Sequence, residues 1–120
     1  LDLMDSVVAA RGGAAGGAGL RNVDVSDWSE ARSIVLLVLD GVGMAQLDML
    51  PADSFLRRHC AATLTSVFPS TTAAAITTFM TARSPAAHGL TGWHVRFDEA
   101  GLDGRVLAIL PVKPVTNRLS

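Results

Sequence analysis

Two segments of this sequence place chemically useful side chains directly after a run of β-forming residues. Asp40 follows the apolar run at residues 33–39, and the hydroxyl residues 70–72 follow a Thr- and Val-rich run at residues 61–68. In open α/β sheets, ligands bind just beyond the carboxyl ends of the strands. A carboxylate is a hard ligand for a divalent metal ion, and such an ion activates a hydroxyl that is otherwise a weak nucleophile. The two segments together indicate metal-assisted attack by a hydroxyl group.

The hydroxyl residues also stand at the start of a predicted helix. A helix N-terminus has a partial positive charge and unpaired N–H groups, which suit a phosphate group or a developing alkoxide. The same residue types also have an ordinary structural use, because Ser and Thr are preferred helix N-caps and an Asp before Gly41 forms an Asx-turn. Local chemistry alone therefore leaves both catalysis and capping open for Asp40 and for residues 70–72.

Three strands are predicted to position these segments. The run at residues 33–39 is continuous in Ile, Val and Leu from Ile34 onward, which is typical of a strand buried on both faces in a parallel sheet. The runs at residues 61–68 and 106–110 predict a second and a third strand, and the third ends just before Pro111.

Helices are predicted between these strands and at the start of the chain, over residues 3–10, 44–50 and 72–81. On the last of them, Ile76, Phe79 and Met80 recur at three- and four-residue spacing and predict one buried stripe. Strands that alternate with helices predict an α/β fold with a mainly parallel sheet flanked by helices.

The chain is predicted to have two parts, residues 1–32 and residues 33–120. The first is a helix followed by a flexible Gly/Ala-rich segment, because RGGAAGGAG at residues 11–19 has no fixed glycine spacing and does not match GxGxxG. The second is the N-terminal part of a catalytic α/β domain. The chain begins with Leu1 instead of Met and ends soon after a strand-like run, so we expect an incomplete domain from a longer protein.

Composition narrows the classes of partner and location. The 120 residues include ten Lys and Arg, eleven Asp and Glu, and 5% aromatics, which argues against binding of a nucleic-acid polymer. The single cysteine, Cys60, excludes a disulfide framework, and we expect it to be a small buried hydrophobe. No apolar run approaches the roughly 18 residues of a membrane span, and no secretory signal is visible. We expect a cytoplasmic protein, or a periplasmic or secreted one if a signal was removed; the oligomeric state is not predicted.

The three histidines have different surroundings in the sequence. His59 follows two arginines and is predicted to lie on the surface. His88 precedes Gly89 at a helix end, where a structural or capping role is expected. His94, next to Trp93, is the histidine that we consider for a contact with substrate.

Two longer motifs stand in a fixed order along the chain. They are VLLVLDGVG at residues 35–43 and VFPSTTAAAITTFMTARSPAAHGLTGW at residues 67–93. Their combination resembles the N-terminal part of the alkaline phosphatase superfamily, and within it the type I phosphodiesterase and nucleotide pyrophosphatase branch. In that branch an Asp-Gly after a strand precedes a Phe-Pro segment with a nucleophilic Thr, then a Thr-Gly, a Pro and a His-Gly. The resemblance covers residues 33–110 and implies an alkaline phosphatase-like fold.

The resemblance also implies roles for individual residues. Asp40 would be a metal ligand, and Thr72 would be both a ligand and the nucleophile that forms a covalent phosphothreonine, with Thr71 as a near competitor. The family uses two divalent metal ions, usually zinc, and its remaining ligands lie in a portion outside this chain. The implied activity is metal-dependent hydrolysis of phosphodiester or pyrophosphate bonds in a small phosphate ester, and this segment alone is expected to be inactive.

Two residues depart from the pattern of that branch, and two other functions remain open. Trp93 stands where nucleotide pyrophosphatases commonly have a phosphate-holding Asn, and Ala82 stands for the Gly of the Thr-Gly pair. One alternative is a non-catalytic α/β binding module, in which Asp40, Ser70 and Thr72 are only turn and cap residues. The other is a phosphonate hydrolase or a phosphomutase of the same superfamily.

Overall fold

The fold is given by a computed structural model that describes residues 1–98, 101 and 104–109. The chain divides into two compact units, Leu1–Ser66 and Val67–Ser120. The last residue of the predicted strand at 106–110 and the prolines that follow it lie outside the described residues.

The first unit is built from short helices joined by irregular segments. It contains helix α1 (Asp2–Ala10), a 3-10 turn (Ser26–Trp28), helix α2 (Met44–Asp48) and helix α3 (Phe55–Arg58). Helix α1 agrees with the prediction for residues 3–10, and α2 begins where predicted and ends slightly earlier. No helix in the described part of the chain has the length and hydrophobicity needed to cross a bilayer.

The Gly/Ala-rich segment that follows α1 has no regular secondary structure, but two of its neighbouring amides are held by that helix. The N–H of Gly16 donates to Oδ1 of Asp5 at 3.0 Å, and the N–H of Leu20 donates to Oγ of Ser6 at 2.8 Å. Asp5 and Ser6 are buried, at 3% and 6% exposure. The side chains of α1 therefore fix the path of this part of the segment.

The second unit contains two helices followed by a hairpin. Helix α4 (Thr72–Thr81) and helix α5 (Pro85–His88) pack against each other. Strand β1 (His94–Phe97) then pairs with strand β2 (Arg105–Ala108) in antiparallel register, with His94 opposite Ala108. The bounds of α4 are those predicted from the sequence, and β2 confirms part of the predicted strand at residues 106–110.

The described residues contain a two-stranded antiparallel sheet and no parallel sheet, so the mainly parallel sheet is not found. The strand predictions for residues 33–39 and 61–68 are wrong in this structure, because neither segment pairs with another. Residues predicted to be buried on both faces are exposed, Val35 at 88% and Leu37 at 77%. The physical reason is that an apolar run makes a segment suitable for a sheet, whereas a strand forms only when a neighbour completes its backbone hydrogen bonds.

The buried face of α4 also differs from the prediction. Ala73 and Ala74 are fully buried and Thr78 is 2% exposed, whereas Met80 is 81% exposed. The predicted stripe of large apolar residues is therefore wrong. Helix α5 packs against α4, and small alanines allow neighbouring backbone to approach closely, so the alanines and Thr78 form the buried side.

Candidate functional site

The hydroxyl group of Thr71 is used to begin helix α4. Thr71 has an extended backbone, and its Oγ1 accepts a hydrogen bond from the N–H of Ala74 at 3.3 Å. Its carbonyl accepts from the N–H of Ala75 at 2.9 Å. The first bond satisfies a donor that a helix N-terminus otherwise leaves without a partner, and the second is the first regular intrahelical bond. Thr71 is thus the N-cap, which was one of the two interpretations left open for this segment.

The same hydroxyl ties the start of α4 to a later loop. Oγ1 of Thr71 donates to the carbonyl of Thr91 at 3.1 Å. The single proton of the hydroxyl is therefore engaged, and one acceptor site is taken by Ala74. Sequence reasoning did not identify the contribution of Thr91, because a backbone carbonyl leaves no signal in the residue types.

Thr72 is the first residue of α4 and is partly buried. It follows a cis Phe68–Pro69 peptide and stands in the first turn of a ten-residue helix. The positive end of the helix dipole lies at this turn, where negative charge is stabilised. Thr72 therefore lies at the end of the helix where an anionic group is stabilised, while Thr71 has the capping role.

The C-terminal end of α4 has an unusual backbone. Ala82 is its C-cap in the left-handed region, with φ of 53° and ψ of 28°, and its N–H donates to the carbonyl of Thr78. It is the only non-glycine residue with a positive φ in the described part of the chain. Glycine is the residue that adopts this conformation without strain. The Thr-Gly pair to which Thr81-Ala82 was matched therefore corresponds to a helix-ending position where glycine is the favoured residue.

His88 connects the two helices of the second unit. Its Nδ1 accepts from the N–H of Leu90 at 3.1 Å, so in the neutral ring Nε2 bears the hydrogen and donates to Oγ1 of Thr78 at 3.3 Å. Gly89 follows in the left-handed region and ends α5. These contacts give His88 the structural role expected from its place beside a glycine.

Asp40 lies in a turn of the first unit. Gly41 has φ of +78°, and the N–H of Val42 donates to the carbonyl of Leu39 at 3.3 Å, which closes the turn. Helix α2 begins just beyond, where Oε1 of Gln46 accepts from the N–H of Gly43 at 3.1 Å. Asp40 itself is exposed. The turn after residue 39 is as predicted, although the segment before it is not a paired strand.

The metal site implied by the resemblance was tested against the donor residues present. Among residues 1–98, 101 and 104–109, no three His, Cys, Asp or Glu side chains come together in a group that could hold a metal ion. Asp40 belongs to the unit Leu1–Ser66 and Thr72 to the unit Val67–Ser120. The described residues thus offer a carboxylate and a hydroxyl of suitable chemistry and not a complete ligand set.

The remaining candidates have simple surroundings. Nδ1 of His59 lies 2.8 Å from the carbonyl of Phe55, and the two rings stack at 4.3 Å on an exposed surface, as predicted for His59. His94 is an exposed residue at the start of β1. Cys60 is exposed, so the prediction of a buried hydrophobe is wrong. It directly follows the end of a four-residue helix, which offers too little surface to cover it.

Helix α5 was not predicted, although the sequence contains a signal for it. Ser84 is its N-cap, Pro85 occupies its first turn and Gly89 ends it. Proline just inside the start of a helix and glycine just past its end is the usual asymmetry of helix termini. The short length of the segment concealed this pattern between two apparent breakers.

Comparison with known families agrees with this arrangement of motifs. The family described as type I phosphodiesterase / nucleotide pyrophosphatase matches residues 34–104, which is more than half of the chain and includes both Asp40 and Thr72. No curated protein and no solved structure matches the chain significantly. The matched range extends from the segment before the Asp40 turn, through α4 and α5, to the hairpin. The chain therefore belongs to the type I phosphodiesterase / nucleotide pyrophosphatase family.

Proposed function

We propose that this chain contains the nucleophile segment of a metal-dependent phosphoric-ester hydrolase that acts on phosphodiester or pyrophosphate bonds, with Thr72 as the nucleophile. The observation that supports this choice most directly is the place of Thr72 in the first turn of α4, next to the residue that caps the helix. Thr71 caps α4 and donates to Thr91, whereas Thr72 is the first residue of the helix. The family match covers this segment and supports a hydrolase of phosphate esters at a coarse level.

In the proposed reaction, Oγ1 of Thr72 gives its proton to a water molecule and attacks the phosphorus atom. The bond from phosphorus to the leaving-group oxygen breaks, and the leaving group departs with the electron pair. Water then hydrolyses the phosphothreonine and regenerates the hydroxyl. The partial positive charge at the start of α4 stabilises the negative charge on the phosphoryl oxygens through both steps.

Two divalent metal ions, for which zinc is our proposal, would supply Lewis-acid polarisation of the phosphoryl oxygens when bound. Within this chain, the carboxylate of Asp40 and the hydroxyl of Thr72 are the proposed ligands. Carboxylate oxygens such as those of Asp40 are found in zinc sites. The other ligands are proposed to lie outside this chain, so the chain alone is not expected to bind two ions tightly.

The proposal is tested on the longest open reading frame that contains this chain, purified with zinc and assayed with an aryl phosphodiester. We expect Thr72→Ala to lower kcat by a factor of about a thousand or more, as loss of a nucleophile does in other covalent enzymes. The matched control is Thr71→Ala, which removes the cap and costs about 1 kcal/mol of stability, but leaves kcat of the folded enzyme nearly unchanged. The phosphothreonine, trapped by acid quench, should map to Thr72 by mass spectrometry.

The pair of variants also defines the results that would contradict the proposal. Loss of activity in Thr71→Ala together with an active Thr72→Ala would move the nucleophile to Thr71. If both variants remain active, the nucleophile lies elsewhere. A purified wild-type protein that binds phosphate esters without hydrolysing them would favour the binding module. Asp40→Asn supplies a readout besides activity, since it should lower the bound zinc measured by elemental analysis, and an unchanged zinc content would remove Asp40 from the ligand set.

A further inference from the structure

A cavity of about 330 Å³ lies in the first unit between α1 and the segments that follow it. This volume is at the lower end of the range of small-molecule sites, roughly 300 to 1,000 Å³. Its apolar wall is formed mainly by alanines, with Leu20 and Val25, and its polar groups come from four side chains, those of Asp5, Ser6, Ser26 and Ser29. The cavity contains neither Asp40 nor Thr72.

Asp5 is the charged group of this cavity and is nine-tenths or more buried, with 3% of its surface exposed. Its Oδ1 accepts from the N–H of Gly16 at 3.0 Å. The side chain of Asp5 makes no other hydrogen bond within the described ranges. It also belongs to no ion pair there, since the ion pair of the described residues joins Arg96 to Asp98. Oδ2 of Asp5 accepts no hydrogen bond within these ranges, and it is not among the buried side-chain atoms that lack a partner, so it is open to the cavity. A carboxylate with little exposed surface is stabilised in its charged form by a cation placed beside it.

The glycine-rich segment is built to lie close to these polar atoms. A Cβ placed on Gly17 would be 2.6 Å from Oδ2 of Asp5, and a Cβ on Gly19 would be 2.7 Å from Oγ of Ser6. Gly19 also has φ of +73°. Only glycine fits at these two positions without displacing the side chains, so the backbone of the segment lies directly against Asp5 and Ser6.

We propose that this cavity binds a small organic ammonium group, with Oδ2 of Asp5 as its counter-ion. A guanidinium would use both carboxylate oxygens in a fork, and Gly16 already takes one of the two acceptor sites of Oδ1. A calcium or magnesium ion needs about six oxygen ligands, and the described lining has one carboxylate. An ammonium ion needs one negative partner and further acceptors, which the serine hydroxyls of the lining provide, while its carbon chain contacts the alanines. The inference is independent of the proposed hydrolase function.

The test is an NMR titration of the full 120-residue chain with propylammonium chloride, compared with potassium chloride and with 1-propanol at the same concentrations. We expect saturable shifts of the amides of Gly16, Gly17 and Leu20 with propylammonium alone. Asp5→Asn retains an acceptor for Gly16 and removes the charge, so it should weaken binding about tenfold or more. Asp2→Asn removes a charge from an exposed position of the same helix and should have no such effect.

Two glycine variants keep the test decisive if Asp5→Asn does not fold. Gly17→Ala places a methyl group against Oδ2 and should abolish the saturable shifts. Its neighbour Gly16→Ala places a Cβ at an ordinary 3.8 Å from Oδ1 and should preserve them. Equal shifts with potassium chloride or propanol, no saturable response to propylammonium, or equal binding by the two glycine variants would each overturn the proposal.

Discussion

The two segments that contain the family motifs differ in how completely they are folded. Residues 72–88 form two helices with defined ends; Thr71 caps the first, and a partly buried hydrogen bond joins Thr78 to His88. Residues 33–39 have no regular secondary structure, and apolar side chains such as Val35 and Leu37 are mostly exposed. Residues 72–81 were predicted to form a helix and residues 33–39 a strand, from equally clear patterns, whereas helix α5 was not predicted.

The difference between them is the range of the interactions that each requires. A helix satisfies its backbone with groups four residues away, and its caps add bonds of similar range. A strand needs a partner whose position in the sequence is not specified by the strand itself. The helix can therefore form within this chain, and the apolar run at residues 33–39 is suited to a sheet that the described residues do not complete.

The largest effect is expected in the hydrogen-exchange rates of the two segments. In the full chain, we expect the amides of Leu36 and Leu37 to exchange about a hundredfold faster than those of Thr78 and Phe79, after correction for intrinsic rates. The reason is that the first pair donates no hydrogen bond within the described residues, whereas the second pair lies inside α4. A hundredfold difference corresponds to roughly 3 kcal/mol in local opening. Equal protection of both pairs in NMR-detected exchange would show that residues 33–39 are paired in solution.

The partly buried hydrogen bond between Thr78 and His88, in the better-folded segment, is the next target. Thr78→Val keeps the shape of the side chain and leaves the Nε2–H of His88 without its acceptor, so we expect a loss of about 1–3 kcal/mol of stability. Thr77→Val is the matched control on the same helix, because the hydroxyl of Thr77 makes no hydrogen bond within the described ranges; its effect should stay within about 0.5 kcal/mol. Urea denaturation of the two variants measures both. Equal stability of the two would mean that the bond to His88 does not hold α5 against α4.

Elements that depend on local interactions could be predicted from the sequence, and features that depend on distant partners could not. The bounds of α4 and the cap at its start were predictable because they depend on residue types within the segment itself. A Thr suited to capping is followed by residues that continue the helix up to Thr81. The buried face of α4 was not predictable, because it depends on the packing of α5. Burial of Asp5 and Ser6 was missed for a related reason: their partners are backbone amides of residues 16 and 20, and glycine-rich sequence gives no indication of which amide will be aligned.

The end of α4 allows a smaller, stabilising test. Ala82 has a positive φ, and the left-handed conformation costs a non-glycine residue about 1–2 kcal/mol. Ala82→Gly removes this cost, but the greater freedom of glycine in the unfolded chain offsets part of the benefit. We therefore expect Ala82→Gly to stabilise the protein by about 1 kcal/mol. Ala75→Gly, inside the same helix, should instead destabilise it by about 1 kcal/mol. If thermal or urea unfolding shows both variants destabilised, Ala82 does not have the left-handed backbone in solution.

The smallest effect concerns the pKa of Asp24. It tests whether a short-range hydrogen bond also forms in the less regular first unit. The N–H of Ser26 donates to Oδ1 of Asp24 at 3.0 Å. This backbone hydrogen bond, with a lesser contribution from the Ser26 side chain, lowers the pKa of Asp24 below its ordinary value. Between the lowered pKa of the folded state and the ordinary pKa, the unfolded chain binds more protons at Asp24 than the folded chain does. The stabilisation is therefore present above the ordinary pKa and is lost as the pH falls through the folded value.

A carbon-detected NMR titration of the Asp24 carboxyl group measures this directly. We expect Ser26→Ala to retain most of the lowering, because the backbone N–H stays in place, and to move the midpoint slightly upward. A midpoint at or above the ordinary value in the wild-type chain would show that the turn is not formed. The contrast between the two units would then extend to two-residue interactions, since even a bond between neighbours in sequence would need support that this part of the first unit does not provide.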